Sequence, residues 1–531
     1  MKNEVKSISI VGGGTAGWMT AAVLCKLHEN IKISLIESPN VPTVGVGEST
    51  IPGINNFLGI LGLEDRDWMP YCNATYKFGV RFEDFYEKNH NFYYPFGTKD
   101  LINTTGGLSD WFLKKTLYPE TSHQDFPDSF YSCMPFIREN KIPEIEIPHF
   151  NFRKDKAYQM DAALFGNFLK EKYCIPKGVN YVCQHISSIV LDQDGYISNL
   201  ILENNEKIYS DLFIDCSGFK SLLLEKTLGV EYNSFNDILP NNKAWATRIE
   251  YTDKEKEMVL VTNCTGLDNG WVWNVPLMNR IGTGYVFSDK FSDDEQCLKQ
   301  FKNYLNSEQM ICYNPNRSEN LTFNLVDIKN GVHDKCWYKN CVAVGLSYGF
   351  LEPLESTGIY LIQETIIKLS QTLHSKQINK IHIDSFNYIM SNIFKTWKTF
   401  VAYHFVLSSR RDTRYWRHIT EEVDIGFDYN NKDVEMYAAK ILETHDLQDD
   451  IVTGIPDIFV GMNHLLFNKT QITFMNYSVK MSSNTNEDIS LNKLTELYWS
   501  QRKKKIQSFL GTSKSHYQYL SDNIYQLNTI S

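Results

Sequence analysis

Three glycines near the start of the chain have the spacing of a backbone cradle for a phosphate group. Gly12, Gly14 and Gly17 follow an apolar segment that predicts a strand and open a segment that predicts a helix. The first glycine permits the tight turn, the second lets a pyrophosphate approach the backbone, and the third allows close helix packing. Glu37 follows by about 20 residues, where a carboxylate can accept a hydrogen bond from an adenosine ribose. The motif therefore predicts a dinucleotide site.

A second junction between a strand and a turn indicates which dinucleotide this site binds. Residues 211–218 predict a buried strand that ends in small residues, with Asp215 and Gly218 at the turn. This pattern resembles the second flavin fingerprint of FAD-dependent monooxygenases, which a plain nicotinamide dehydrogenase does not need. The two turns together favour FAD.

Two tryptophans flank one small apolar residue in the segment 270–276, GWVWNVP. Alternate residues of an extended strand point the same way, so Trp271 and Trp273 predict a stiff aromatic wall on one face. Such a wall beside a flavin would keep an organic substrate away from the flavin. The oxidant would then have to be a small, diffusible species.

The elements that must position these residues predict an α/β fold. Strands at 7–11 and 31–36 around a helix at 18–27 predict a βαβ unit. A further helix is predicted at 359–373. Alternation across 179–209 predicts hairpin strands, and strands recur from 244 to 288. We expect a Rossmann-like FAD/NAD(P)-binding domain of the flavin monooxygenase type with mixed β-sheets, and a mainly helical C-terminal subdomain. The predicted division is 1–390 and 391–531.

Bulk composition limits the classes of function. The chain has 531 residues and a net charge of −10, which argues against nucleic-acid and anionic membrane partners. It lacks an apolar run long enough to span a membrane, and its N-terminus lacks the apolar core of a signal peptide, so a cytoplasmic protein is expected. The 11 cysteines form no CxxC pair, which predicts reduced thiols and no metal site.

Motifs spread along the chain carry a resemblance to one enzyme family. They are GGGTAGW at 12–18, VGVGESTIP at 44–52, GWVWNVP at 270–276, GFLEPLESTGIY at 349–360 and RDTRYW at 411–416. In this order they resemble the flavin-dependent halogenases of the tryptophan-halogenase family, with Val275 at the isoleucine position of GWxWxIP. The motifs cover most of the first 420 residues.

The resemblance implies a two-component mechanism. A separate flavin reductase supplies FADH2, and with O2 and a halide the enzyme forms hypohalous acid, which passes through an internal tunnel to a lysine near an aromatic substrate. Thr357 and Gly358 match the halide-binding region. Residues assigned to the barrier between flavin and substrate are Trp271, Trp273 and Pro276. Residues assigned to the flavin are Gly12, Gly14, Thr15, Ala16, Gly17, Glu37, Val46, Gly47, Glu48, Asp215, Gly218, Leu346 and Ser356.

The family's two essential residues match Lys77 and Glu355. A buried ammonium at Lys77 can hold hypohalous acid through a hydrogen bond, and a neutral amine can form a haloamine; both remain open. Arg81 is the alternative cation. Glu355 can stabilise the cationic intermediate or take its proton, with Glu352 as the nearby alternative acid.

One departure from the family concerns the substrate. Members that halogenate free tryptophan carry a C-terminal signature of the FWTNSxY type, which is absent here; the corresponding region is 451–476. Another indole, a phenol or a different electron-rich arene is therefore expected, with chloride, bromide and iodide all open. The family also suggests a homo-oligomer. The alternative functions are an FAD-dependent hydroxylase and a non-catalytic flavin-binding protein.

Overall fold

The computed structural model describes residues 4–39, 47–97, 108–375, 377–426, 457–458, 460–463 and 485–527. Within these residues the strands are β1 Ser7–Val11, β2 Lys32–Glu37, β3 Glu48–Ser49, β4 Thr75–Lys77, β5 Gly79–Glu83, β6 Asn91–Pro95, β7 Ala157–Met160, β8 Asn180–Cys183, β9 Ile186–Leu191, β10 Ile197–Leu202, β11 Lys207–Ile208, β12 Leu212–Asp215, β13 Tyr232–Ser234, β14 Lys243–Ile249, β15 Val261–Leu267, β16 Gly270–Pro276, β17 Ile281–Phe287, β18 Asn324–Asp327, β19 Gly331–His333, β20 Trp337–Tyr338, β21 Cys341–Ala343 and β22 Gly349–Phe350. The helices are α1 Thr15–Leu27, α2 Ile54–Leu61, α3 Asp65–Trp68, α4 Leu108–Leu117, α5 Asp125–Phe130, α6 Met134–Glu139, α7 Phe152–Asp155, α8 Ala162–Phe168, α9 Lys254–Glu257, α10 Asp294–Leu305, α11 Thr357–Leu373, α12 Lys380–Val406, α13 Arg414–Glu421, α14 Thr485–Leu510 and α15 His516–Asn523.

A six-stranded sheet forms the first layer, in the order β20-β21-β12-β1-β2-β8. Its pairs are parallel except β20 with β21. The β-branched and buried side chains of β1 suit a central parallel strand. Parallel β1 and β12 end at the same edge, so the turns that follow Val11 and Asp215 are neighbours. The predicted βαβ unit is confirmed, and α1 packs against both α8 and α11.

The predicted hairpin across 179–209 is partly wrong. β9, β10 and β11 pair antiparallel as hairpins do, but β8 joins the six-stranded sheet parallel to β2. An alternating pattern predicts an extended segment and leaves its partner strand undefined.

A seven-stranded sheet forms the second layer, in the order β18-β14-β17-β16-β15-β5-β6. β16, which carries both tryptophans, lies in its centre. A separate short sheet has the order β3-β7-β4, in which β7 pairs antiparallel with both β3 and β4. Glu48 and Lys77 are thereby carried on the two outer strands of one small sheet.

The C-terminal part of the described chain is helical from α11 onward. Residue 390 lies within the long helix α12, which continues across the predicted domain boundary. The two-part division stays a prediction. In the described residues, no helix has the length and apolar character needed to cross a bilayer. The same residues hold no group of three or more His, Cys, Asp or Glu side chains suited to a metal ion.

Candidate functional site

The glycine turn after β1 combines close backbone contacts with open space at Gly14. Gly12 has φ +122°, and a Cβ there would collide with the carbonyl oxygen of Cys216. A Cβ on Gly17 would collide with the carbonyl oxygen of Gly12. Gly14, at the N-terminus of α1, faces open space, with no atom within 4 Å of where its Cβ would be. Two glycines therefore close the turn, and the third leaves room for a phosphate against the helix N-terminus.

Glu37 lies directly beside this turn, at the end of β2. A side chain on Gly13 would collide with the Glu37 carboxyl group. Its Oε2 accepts hydrogen bonds from the Tyr181 hydroxyl at 2.8 Å and from Lys170 Nζ at 3.0 Å. These two partners were absent from the sequence interpretation, and they hold the carboxylate in place. Its contact with a ribose stays a prediction.

The second turn is built around Asp215, which is fully buried. Its carboxylate accepts four hydrogen bonds from its own loop, given by Ser217 N, Ser217 Oγ, Leu223 N and Leu224 N. Asp215 thus shapes the turn in which Gly218 adopts φ +71° and faces open space. A direct contact between Asp215 and flavin stays a prediction.

A third segment, the short helix Gly345–Ser347, meets the two turns. Ser347 Oγ donates to the Gly218 carbonyl at 3.2 Å, and a Cβ on Gly345 would lie 3.1 Å from that of Ala16. Leu346, in the same short helix, is exposed. Thr15, another residue predicted to contact the flavin, donates a hydrogen bond from Oγ1 to the Ala162 carbonyl at 2.8 Å.

Two further predicted flavin residues, Val46 and Gly47, precede β3, and the structure describes Gly47. Val46 lies outside the described residues. Gly47 has φ +118°, and a Cβ there would lie 3.7 Å from the Val275 side chain. A side chain at Gly47 is therefore disfavoured by backbone conformation and would lie against β16.

The two tryptophans of β16 form the expected aromatic pair, with ring centroids 6.2 Å apart. Trp271 is buried and Trp273 half-buried. Trp271 Nε1 donates to Glu352 Oε1, which also accepts from Asn241 Nδ2 at 2.6 Å. Burial raises the pKa of Glu352 to about 7. Pro276 ends the strand, and its carbonyl accepts from Thr75 Oγ1 at 2.6 Å.

Lys77 is fully buried at the end of β4. Its Nζ donates to Ser356 Oγ at 2.8 Å and to the Thr50 carbonyl at 3.0 Å, and lies 5.2 Å from the centre of the Phe96 ring. Burial lowers the pKa of Lys77 to about 7, although the Glu355 charge opposes the shift. The amine is therefore able to gain or lose a proton near neutrality.

Arg81, the alternative cation, has a different environment. It pairs with Glu83 at 3.4 Å, and both side chains are about a quarter exposed. Lys77, by contrast, donates a hydrogen bond to Ser356, in the segment that carries Glu355.

Glu355 is buried, with Oε1 2.6 Å from His404 Nε2. The Nδ1 of His404 lies 3.1 Å from the Phe400 carbonyl. A hydrogen bond to that carbonyl requires a proton on Nδ1, and Nε2 is the ring nitrogen that faces Glu355. His404 was missed in the sequence. The available signal was a single histidine in the aromatic segment 394–406, on a helix predicted only in outline.

The N-terminus of α11 lies at the end of the same segment. Ser356 has a left-handed φ of +59°, which turns the chain between Glu355 and the helix. Thr357 Oγ1 is buried and has no hydrogen-bond partner in the described structure. Glu48 Oε2 lies 3.6 Å from where a Cβ on Gly358 would be, and burial and Asp161 raise the pKa of Glu48. A helix N-terminus with an unpartnered hydroxyl is suited to an anion.

Known proteins resemble this chain in sequence and in fold. The family model for tryptophan halogenase matches residues 7–487. The chain is 34% identical to 7-chloro-L-tryptophan 6-halogenase KtzR of Kutzneria sp. (strain 744) over 435 residues, 77% of this chain and 80% of that protein. Two solved structures resemble it closely. The VirX1 apo structure has 35% identity and a TM-score of 0.85, covering 98% of this chain and 100% of the other. Xcc4156, a flavin-dependent halogenase from Xanthomonas campestris, has 27% identity and a TM-score of 0.81, covering 98% of each chain.

The converging glycine turns and the two main sheets define an α/β flavoprotein with an FAD-binding fold. The chain belongs to the tryptophan halogenase family. It is a flavin-dependent halogenase, an enzyme that halogenates aromatic substrates with FADH2, O2 and halide, and a flavin reductase is its partner.

Proposed function

We propose that this enzyme halogenates an electron-rich arene of the indole or phenol type with hypohalous acid delivered through the interior to Lys77. The observation that carries the proposal is the contact between the buried Lys77 amine and Ser356, the residue after Glu355. This contact joins Lys77 to the segment that carries Glu355, since Ser356 lies 279 residues after Lys77 in the sequence. A buried amine beside an acid is suited to controlling a small electrophile.

Lys77 directs the electrophilic halogen toward the arene. As an ammonium, Nζ donates a hydrogen bond to the oxygen of hypohalous acid and withdraws electrons from it. As a neutral amine, Nζ takes the halogen itself and water leaves. A pKa of about 7 makes both protonation states accessible near neutral pH.

Glu355 acts on the substrate side of the reaction. Addition of the halogen makes the arene cationic, and a nearby carboxylate stabilises that charge and accepts the ring proton. His404, in contact with Glu355 Oε1, positions the carboxylate and can share the proton. Halogen transfer to the arene comes first, and loss of the ring proton follows.

The flavin side is proposed to use the residues that line the three neighbouring turns. Bound as FADH2, the cofactor supplies with O2 the two-electron oxidation that converts halide into hypohalous acid. The backbone at Gly14 and Gly218 would lie against the cofactor, because both glycines face open space. Thr357 and Gly358 would hold the halide at the N-terminus of α11. Trp271 and Trp273 would separate the cofactor from the arene.

The test is a reconstituted reaction with FAD, a flavin reductase, NADH and O2. Indoles and phenols are supplied in parallel with chloride, bromide or iodide, and products are identified by mass spectrometry. Wild type should give a halogenated arene, and Lys77→Ala should lose it while it still binds FAD. Arg81→Ala is the matched control variant and should keep the halogenation activity. A halide-independent oxygenated product, or full halogenation by Lys77→Ala, would contradict the proposal.

A further inference from the structure

Asp457 is a buried acid that has no part in the chemistry described so far. Its side chain is only 2% exposed. Oδ2 accepts a hydrogen bond from the Tyr131 hydroxyl at 2.7 Å, whereas Oδ1 has no hydrogen-bond partner in the described structure. Buried polar atoms are normally satisfied, so an unpartnered carboxyl oxygen indicates a missing partner.

One chain of contacts connects this acid to the Lys77 side of the site. Tyr131 is followed two residues later by Cys133, whose Sγ donates to the Phe96 carbonyl at 3.2 Å. The Phe96 ring lies 5.2 Å from Lys77 Nζ. The segment that holds Asp457 through Tyr131 therefore also supports the ring against the lysine.

A second chain of contacts connects the acid to the Glu355 side. Gly461, in the same helical segment, lies against the Phe92 ring so closely that a Cβ would collide with it. Phe92 stacks on Phe82 with centroids 4.8 Å apart, and Phe82 lies 4.7 Å from the ring of His404, the partner of Glu355. Burial and, to a smaller extent, the Glu355 charge raise the pKa of Asp457.

We propose that Oδ1 of Asp457 accepts a hydrogen bond from the N–H or O–H group of the arene and thereby selects which ring carbon faces Lys77. The inference rests on the proposed function, and it adds the group that recognises the substrate. The rings of Phe82, Phe92 and Phe96 offer apolar contacts that hold an aromatic ring without fixing its rotation. A single polar partner within apolar walls supplies that orientation.

The test compares arenes that differ only in the donor. Indole with 1-methylindole, and phenol with anisole, are titrated calorimetrically into wild type, Asp457→Leu and Asp457→Asn without flavin. Wild type should bind indole or phenol at least about tenfold more tightly than its methylated counterpart, as expected for a hydrogen bond to a buried acid. Asp457→Leu should reduce this ratio to within about twofold. Asp457→Asn should keep most of it, since the amide oxygen still accepts.

Asp384→Asn, an exposed acid on α12, is the matched control and should leave the ratio unchanged. A wild-type ratio that persists in Asp457→Leu overturns the inference, as does a wild type that binds neither donor or does not distinguish them. Bromination of indole gives a second readout: Asp457→Leu should yield mixed regioisomers, while hypobromous acid formation, followed with monochlorodimedone in solution, stays unchanged. Because binding is measured without turnover, wild type that binds selectively but never halogenates refutes only the proposed function.

Discussion

Glu352 and Glu355 are two buried acids on one turn with different kinds of partner. Glu352 accepts hydrogen bonds from Trp271 and Asn241, whose N–H groups do not titrate. Glu355 contacts the His404 ring, and its charge acts on the Lys77 amine. Burial is the same for both acids, so their partners distinguish their roles. Glu352 supports the aromatic wall, whereas Glu355 faces the basic side chains of His404 and Lys77.

The largest expected difference between the two sides is catalytic. Glu355→Gln should lower kcat for arene halogenation by about 10²–10⁴, because the amide can neither balance the cation nor accept its proton. Glu352→Gln should lower it by less than about tenfold, since the amide oxygen still accepts from Trp271 and Asn241. Steady-state bromination with product analysis measures both.

Hypobromous acid formation should be normal in both glutamine variants, which serves as the control for the flavin side. Equal losses of kcat in the two variants would break the comparison and assign both acids to the same step.

The second difference is in how stability depends on pH. Lys77 has a pKa of about 7 when folded, against 10.5 for an ordinary lysine, so between these values the unfolded chain binds a proton that the folded chain does not. Stability from this group is thus full above 10.5 and lost as pH falls to about 7. Lys77→Met removes this dependence. The difference in free energy of unfolding, wild type minus variant, should increase by about 1.4 kcal/mol per pH unit between about pH 7.5 and 9.5.

Glu352 should give the opposite slope and so serves as the contrast. Its pKa is about 7 in the folded state, against 4.5 for an ordinary glutamate, so between these values the folded chain binds a proton that the unfolded chain does not. Stability from this group is therefore full below 4.5 and is lost as pH rises through about 7. Denaturant titrations across pH should therefore show that Glu352→Gln alters the acid limb alone. A Lys77→Met curve parallel to wild type from about pH 7.5 to 9.5 would contradict the buried, shifted amine.

A smaller effect concerns the support of the wall. Glu352→Ala leaves Trp271 Nε1 and Asn241 Nδ2 without their shared acceptor and should cost about 1–3 kcal/mol of unfolding free energy. Glu352→Gln should recover most of this loss. Chemical denaturation of the three proteins is the measurement, and an equal loss in both variants would mean that the charge, not the acceptor, matters.

The smallest effect is expected at a third acid, Glu48, near the N-terminus of α11. If Thr357 and Gly358 bind the halide, Glu48→Gln should tighten it about two- to fivefold at pH 8, because a carboxylate competes with an anion for the helix N-terminus. The readout is the bromide KM from initial rates. An unchanged bromide KM at pH 8 would place the halide elsewhere.

The sequence predicted most accurately what lies in continuous backbone. The turn at Gly12–Gly17 and the aromatic pair of β16 follow from spacing alone, since each needs only one element and its period. Lys77 and Glu355 came from the family resemblance, and their catalytic roles stay predictions. The contact between them passes through Ser356, and no local pattern encodes it.

Residues that depend on distant packing were missed. Tyr131 and Asp457 are separated by 326 residues, and His404 is one of many apolar-face positions on α12. Whether such a side chain becomes a buried partner depends on where helices dock, which periodicity does not specify. The same reason explains β8, whose alternation predicted a strand but not its parallel partner.

The left-handed turn at Ser356 has an evolutionary consequence. Glu355, Ser356 and Thr357 are consecutive, yet they contact or face a histidine, a lysine and the head of a helix. A single insertion or deletion there would displace all three at once, so this stretch can diversify only by substitution. Asp457 belongs to a separate part of the chain. Libraries that vary Asp457 and its neighbours can therefore search for new substrates while residues 355–357 are inherited intact.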